Sequence, residues 1–399
     1  MSSEDDLDDI KNLNDILKSF VDISKLTKTK ITRLTAPGEN YGSLMLKLDV
    51  TLKSDENSES DLHLVAKKIP PSELFRENFN IQVTFQNEVA MYQTVVPILQ
   101  SFQRDYGVKN VFNCVPRFYG ARINLDGGKQ VDTDAVLILE NLFANGYTNI
   151  NRLQGFDLES IKLVLKDLAE FHAVPLALKL KRPEVFERDI KKYCNDFIFN
   201  KEFHTIFWKP TKSILLEKKE LAPIVDKIKL ICQADKPAVR EPFATLTHAD
   251  LWCNNSMQKF GPDGSALENK LIDWQFLSYG SPASEFLFLV LTSTETNILV
   301  NHFDELMQFY HTHFVKTLED LQCDTIPFSL SKFIEEIKNE CVFEIGHVIQ
   351  FILFIVTAKK RDEELKLPEE SDRLVETVSQ QGKEKVWFIL EDFEKRGWL

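Results

Sequence analysis

At 399 residues the chain has room for two or three domains, or for one domain of two lobes around a large core. A formal charge of −13 argues against nucleic acid as a partner, because neutralising phosphates takes clustered Lys and Arg. With 43% hydrophobic and 27% charged residues the composition is that of a soluble globular protein, and 30 phenylalanines would suit an apolar ligand pocket as well as a core.

The opening "MSSEDDLDD" has neither the basic start nor the apolar run of a signal peptide, and the expected compartment is the cytoplasm. Acids mixed with Leu, Ile and Phe over the first 25 or so residues read as a short helix at most. In "SLMLKLDVTL" (43–52) Leu44, Leu46, Leu48, Val50 and Leu52 alternate with Met45, Lys47, Asp49, Thr51 and Lys53, which predicts a half-buried strand. "SDENSESD" (54–61) is a solvated turn, and "LHLVAKKIP" (62–70) a second strand completing an antiparallel hairpin. Phe85, Val89, Tyr92 and Val96 recur at helical intervals, with Glu88 beside that face. "VPRFYG" is extended, "AVLILENL" (135–142) is a buried strand, and "DLESIKLVLKDLAEFHAV" (157–174) is an amphipathic helix N-capped by Asp157. Helical patterns dominate from there on, except over 244–276. "VIQFILFIVTA" (348–358) is too short to span a bilayer and reads as a buried helix. No two of the six cysteines have C-x-x-C spacing, so reduced thiols are expected and a zinc knuckle is not. Strands early and helices late predict an α+β fold of two lobes, parting near Glu140 to Tyr147.

The stretch "LTHADLWCNNSM" (246–257) carries the chemistry. His248-x-Asp250 could ligate a metal, but no further His or Cys nearby completes a set, and a hydrolase would need a G-x-S-x-G elbow, which is missing. As a phosphotransferase loop, Asp250 approaches an attacking hydroxyl and Asn255, five residues on, points at a magnesium ion on the nucleotide phosphates. Such a loop needs a second metal ligand ending the next strand. "LENKLIDWQF" offers Asp273, and "GPDG" (261–264) supplies the turn that returns it beside Asn255. His248 is then a residue that orients the loop by hydrogen bonding. A phosphate clamp also needs a strand lysine and a helix acid. Lys67 with Glu88 would serve, although Lys68 is adjacent and periodicity does not choose between the two lysines, and Glu88 could be a solvated helix charge. "APGENYGSLM" (36–45) lacks G-x-G-x-x-G; its glycines fit a plain hairpin turn, or backbone N–H groups from Asn40 to Ser43 holding phosphate.

Taken in order, "LVAKKIP", "FQNEVAMYQTVVP", "LILENL", "DLAEFHAV", "LTHADLWCNNSM" and "LIDWQF" resemble the ecdysteroid-kinase-like family, within the choline-kinase and aminoglycoside-phosphotransferase-like group. The resemblance covers about residues 30 to 290. It implies a protein-kinase-like fold with an ATP cleft between a small β-rich N-lobe and a larger helical C-lobe. Residues 1–29 would be an acidic extension, 30–142 the N-lobe, and 143–399 the C-lobe with catalytic loop 246–257 and metal-binding strand 270–276. It implies Asp250 as catalytic base, Asn255 and Asp273 as magnesium ligands, Lys67 as the phosphate lysine and Glu88 as its partner, Ser43 in the phosphate loop, and Glu140 to Leu142 lining the adenine site. The reaction implied is ATP- and Mg-dependent transfer of the γ-phosphoryl group to a hydroxyl of a lipophilic alcohol, an ecdysteroid or a plant or xenobiotic compound.

Two positions depart from the family pattern: Ala249 stands where Gly is commoner, and Glu285 where Asp is usual. Only seven residues separate Asp273 from Ser281, the expected N-cap of the next helix ahead of Pro282, which leaves no room for the activation loop of a protein kinase. Acceptor walls are expected from "YCNDFIFNKEFHTIFW" (193–208) and from the helix around "FEIGHVIQFILF" (343–354), where Glu344 and His347 could bond the acceptor or each other. Two other readings stay open: a catalytically silent binder of a hydrophobic hormone, and a choline- or aminoglycoside-type phosphotransferase. Neither nucleic acid nor membrane is an expected partner.

Overall fold

The alternation read in residues 43–52 is realised in a five-stranded antiparallel sheet: β1 (Leu26–Arg33), β2 (Leu44–Lys53), β3 (Glu59–Lys68), β4 (Phe118–Arg122) and β5 (Val136–Glu140), in the order β1-β2-β3-β5-β4. The structure is a computed structural model describing residues 9–34, 43–54, 58–195, 201–233, 238–356 and 374–399, with backbone alone for 201–206 and 374. β2 and β3 pair without a slip from Leu44↔Lys68 to Lys53↔Glu59, so strand β3 begins at Glu59, inside the stretch expected to be turn.

One sheet face is covered by the segment before β1. Helix α1 (Leu13–Leu17) lies there, and Ile10, Leu17 and Val21 are buried against Leu46, Leu48, Val50, Leu64 and Ile138. Each such side chain contributes on the order of 2 kcal/mol by leaving water. Strand β1 starts within the stretch assigned to the N-terminal extension, so these residues complete the N-lobe sheet. Contact is close enough to demand glycine: a Cβ at Gly120, where φ is +134°, would stand 2.6 Å from the Ile16 carbonyl oxygen. Gly120→Ala should therefore cost more than about 1 kcal/mol, read as a lowered melting temperature.

The other sheet face carries helix α2 (Ile81–Ala90), which runs through a π turn at Met91–Val95 into α3 (Val96–Asp105). Phe85, Val89 and Tyr92 enter one core that continues without a break into the C-lobe. After β5 the chain crosses to a small sheet of β6 (Tyr147–Asn149), β8 (Ser256–Phe260) and β9 (Ala266–Leu271), while β7 (Thr245–Thr247) pairs with β10 (Ser278–Gly280). Around these stand the C-lobe helices α4 (Leu158–Lys181), α5 (Val225–Gln233), α6 (Pro282–Ser293), α7 (Thr296–Asp320), α8 (Leu330–Phe351) and α9 (Gln380–Lys395). Asp157 caps α4, accepting from the Ser160 N–H at 2.8 Å, and Ser281 caps α6. Pro175 removes one N–H from the ladder of α4; beside that gap the Thr245 hydroxyl of β7 donates to the His172 carbonyl, which fastens α4 to the strand that leads into loop 248–255. The architecture is α+β, with a β-rich N-lobe and a mostly helical C-lobe.

The apolar stretch 348–358, which the structure describes as far as Val356, differs from expectation in length. It ends a helical run, Leu330–Val356, that by length and composition is among the described residues the one helix able to cross a membrane; most of its apolar window is buried against α6 and α5.

Candidate active site

Each predicted site residue can now be placed. Lys67 and Lys68, neighbours on β3, point to opposite faces, as a strand requires. The Lys67 ammonium reaches Glu88 of α2 at 2.7 Å and Asp273 at 2.6 Å, with the three side chains 9%, 2% and 31% exposed. Lys68 instead donates to the Asp9 carbonyl at 2.8 Å on the far side of the sheet. Burial alone would lower Lys67, but the Asp273 and Glu88 carboxylates outweigh it and hold the ammonium charged. Burial pushes Glu88 up, aided by Asp273 and opposed by Lys67.

Asp250 and Asn255 face each other across the tight loop between β7 and β8. The Asn255 amide donates to the Asp250 carbonyl at 2.7 Å and to its carboxylate at 3.0 Å. The β8–β9 hairpin, turned at Gly261–Gly264 as its sequence predicts, returns the chain so that the Ile272 N–H donates to the Asn255 carbonyl at 3.0 Å. That bond sets Asp273 beside the loop. Asp273 takes φ +68°, a left-handed conformation that Asp tolerates better than most residues. Burial, and then the Asp273 charge, push the Asp250 carboxyl well above the usual carboxylate range.

His248 is buried under this loop. Its Nε2 lies 2.9 Å from the Ile272 carbonyl, which can only accept, so Nε2 carries the proton. Burial lowers its pKa, and its ring lies on Trp274 with centroids 4.5 Å apart. A neutral, fully enclosed imidazole aimed at a backbone carbonyl orients the loop.

Glu285, at the start of α6, does more than its sequence position implied. Its carboxylate accepts from the backbone N–H of His248 at 3.0 Å and of Ala249 at 2.8 Å, and from the His172 Nε2 at 2.6 Å, while Tyr310 meets the other His172 nitrogen at 2.7 Å. This network holds Ala249 at φ +63°, the left-handed region where glycine would sit without strain. Burial would raise Glu285, but the His172 hydrogen bond and the charges and N–H groups around it win, leaving it below its ordinary value of 4.5. The sign follows: a depressed carboxylate contributes stability that is present above pH 4.5 and lost as pH falls through the folded value. Glu285→Gln should lose about 1–3 kcal/mol at neutral pH, because an amide NH2 cannot accept from a backbone N–H, and should flatten the acid side of the melting-temperature profile. Sequence reading did not find His172 or Tyr310; partners 113 and 138 residues apart leave no local spacing to detect.

Glu140 ends β5, and its carboxylate accepts from the Arg117 N–H and the Asn145 amide. Leu142, just beyond, forms with Tyr147, Met257 and Ile272 a small apolar cluster separate from the two main cores. Met257 lies two residues after Asn255 and Ile272 directly before Asp273, so one hairpin supplies both the polar pair and half of this apolar cluster, Leu142 and Tyr147 coming from the end of β5 and from β6. Ser43 is half-buried at the head of β2 and lines a small recess with Lys67, Thr84 and Glu88. The rest of the expected phosphate loop, 36–42, lies outside the described residues, as does part of the expected acceptor wall, 196–200. Glu344 and His347 do meet, 3.6 Å apart, and Glu344 also accepts from the Ser284 hydroxyl at 2.6 Å.

Among solved structures, an ethanolamine kinase from Plasmodium vivax aligns over 90% of this chain and 84% of its own, at 12% identity and a TM-score of 0.39. A mutant aminoglycoside 2′-phosphotransferase in its GDP complex aligns over 96% of both chains, at 11% identity and a TM-score of 0.41. No curated protein shows a significant match. A profile of the ecdysteroid kinase-like family matches residues 37–323, from before β2 through the whole β8–β9 hairpin and beyond α7, and with well over half its length so covered the chain belongs to the ecdysteroid kinase-like family.

Proposed function

We propose that this protein is an ATP- and Mg-dependent kinase that phosphorylates a hydroxyl of a lipophilic small-molecule alcohol. One observation carries the reading: Lys67, Glu88 and Asp273 from two lobes meet beside the Asp250–Asn255 loop. Membership of the ecdysteroid kinase-like family supports it.

The residues fit a magnesium ion. Mg²⁺ takes hard oxygen donors and commonly needs only one or two from protein, the rest coming from phosphate and water. Asp273 would give a carboxylate oxygen. Asn255 spends its NH2 group on Asp250, which turns its amide oxygen away from that residue. Among the described residues no cluster of three or more His, Cys, Asp or Glu could hold a metal alone, which is consistent with a site completed by nucleotide phosphates. When bound, the ion supplies positive charge against the phosphates and Asp273.

Lys67 would hold the nucleotide phosphates, with Glu88 fixing its ammonium. The floor of Leu142, Tyr147, Met257 and Ile272 would take the adenine ring. Asp250 would accept the proton of the acceptor hydroxyl as its oxygen bonds the γ-phosphorus and the bridging oxygen leaves with ADP. The short link from Asp273 through β10 to α6 favours a small acceptor over a docked peptide.

Mass spectrometry after incubation with Mg-ATP and a panel of steroid alcohols, plant polycyclic alcohols, choline and an aminoglycoside tests the reading. A gain of one phosphate on a lipophilic alcohol is expected. Product on choline or the aminoglycoside alone would move the acceptor to the cationic class, and no product at all would favour a silent binding protein.

A further inference from the structure

Helix α2 and the segment that follows Asp273 enclose a cavity of about 170 Å³. Four carboxamides line it: Asn80 and Asn87 from α2, Gln275 from the segment, and Asn195, whose backbone N–H bonds the Leu277 carbonyl at 3.1 Å. Thr84 completes the polar wall, on the same helix face as Asn80 and Asn87. Thr84, Asn87 and Gln275 are buried, while Asn80 and Asn195 form an exposed rim. Among the described residues no charged side chain lines the space.

These amides are under-used. The Gln275 side chain, 9% exposed, makes no hydrogen bond to a described residue. Asn80 stands at the N-cap of α2 with φ 45°, and its side chain caps nothing. Asn87 donates to the Gln275 backbone carbonyl at 3.5 Å and accepts from the Asn195 amide at 3.3 Å, both long against the usual length of about 2.9–3.0 Å. A buried carboxamide offers two donors and an acceptor, and leaving them unused costs free energy. Such a wall suits a molecule that brings donors and acceptors together, as hydroxyls do. It does not suit an ion, whose desolvation nothing here would offset. Size sets a second limit, since a cavity of about 150 Å³ takes one six-membered ring. Val83 and Phe276 add apolar surface for the face of that ring.

The cavity borders the proposed catalytic centre. Gln275 and Thr84 line both it and the recess that holds Lys67 and Glu88. On the recess side Lys67 joins Glu88 of α2 to Asp273 at 2.7 and 2.6 Å. On the cavity side the same two segments are joined by the 3.5 Å bond of Asn87. Resting on the proposed kinase reading, we infer that this cavity is an effector site for a neutral, hydroxyl-rich six-membered ring, a monosaccharide or cyclitol, which clamps α2 against the metal-binding segment. Ring hydroxyls donate to the Gln275 and Asn87 amide oxygens and accept from their NH2 groups. Asn87 directly precedes Glu88, and Gln275 lies two residues after Asp273, so the clamp fixes the spacing across which Lys67 meets both carboxylates. Occupancy strengthens Mg-ATP binding, and by linkage Mg-ATP strengthens binding of the ring by the same factor.

Calorimetric titration of the full chain with D-glucose and with myo-inositol, alone and with magnesium and a non-hydrolysable ATP analogue, tests this. At least one probe should bind, and in its presence the Kd of the analogue should fall about 5-fold or more. Glucuronate and glucosamine, each carrying a charge, should bind about 10-fold more weakly or not at all. Val83→Phe fills the cavity, and Gln275→Leu keeps the size of the side chain without its amide. Both should lose the probe while keeping the melting temperature and the affinity for the analogue alone. No binding of either probe at about 10 mM, or undiminished binding by both variants, overturns the site. Probe binding that leaves the analogue Kd unchanged overturns the clamp, as does a probe that itself gains a phosphate from Mg-ATP, which would make the cavity part of the acceptor site. None of the binding readouts needs turnover of an alcohol, so their failure leaves the kinase reading standing. If the analogue itself does not bind, the clamp and the kinase reading fall together.

Discussion

Replacing Asp250 by Asn should lower kcat by about 10²- to 10⁴-fold, the usual contribution of a positioned general base. The substitution keeps the size of the side chain, and an amide oxygen can still accept from Asn255, so the loop should fold and bind Mg-ATP. The loss should therefore sit in kcat rather than in the KM for ATP. Asp250 also predicts a pH dependence. Burial and the Asp273 charge hold its carboxyl above the usual range, and a base works only when ionised, so activity should rise with pH through that elevated value. Raising the magnesium concentration should move this acid limb to lower pH, because positive charge at Asp273 removes the second of those two causes. Comparing kcat/KM against pH at low and high magnesium checks it, and an acid limb at an ordinary carboxylate position, indifferent to magnesium, would contradict the account.

Lys67→Met is the second large effect, and it separates stability from catalysis. The ammonium is the common partner of two carboxylates, one of them almost wholly buried. Removing it leaves Glu88 uncompensated, which typically costs 3–5 kcal/mol for a broken buried pair. Glu88 should then take up a proton, since burial and Asp273 already push it up and Lys67 is the first force opposing them. The double variant Lys67→Met/Glu88→Gln should recover much of the melting temperature, because it removes the orphaned charge. Phosphoryl transfer should stay down by on the order of 10²-fold or more in both, since positioning and charge on the phosphates are lost either way. Stability and activity recovering together would mean that Lys67 is structural only.

The parts of the site that lie close in sequence were legible in it. Asp250, Asn255 and Asp273 are joined by one hairpin whose strands and Gly-rich turn all have local signatures, so their approach could be read from spacing. The segregation of strands before helices carried the fold class in the same way. Lys67 against Lys68 needed the structure: both side chains are buried, one against Glu88 and Asp273 and one against the N-terminal segment, and one partner of Lys68 is a backbone carbonyl, which no residue type announces. Strand β1 escaped because it is an edge strand. "LTKTKITR" exposes most of its side chains, only Leu26 and Ile31 are partly covered, and an alternation of Thr with Lys carries no apolar period. The Glu285 network escaped for a different reason. His172, His248 and Glu285 come from a helix, a loop and another helix, and only packing of the whole lobe brings them together. The length of the helix through α8 was also hidden, since polar residues such as Lys332, Glu335 and Lys338 on its outer side interrupt the apolar run that sequence reading follows.

The central claim is that this protein moves a phosphoryl group from ATP to a small alcohol with Asp250 as base. Following label from γ-labelled ATP into a steroid diol, with intact protein and with Asp250→Asn side by side, tests it most directly. The account predicts label on the diol only with the intact protein and only with magnesium present. Label on the diol at equal rates with both proteins, or none with either across the alcohol panel while Mg-ATP binds, would contradict it.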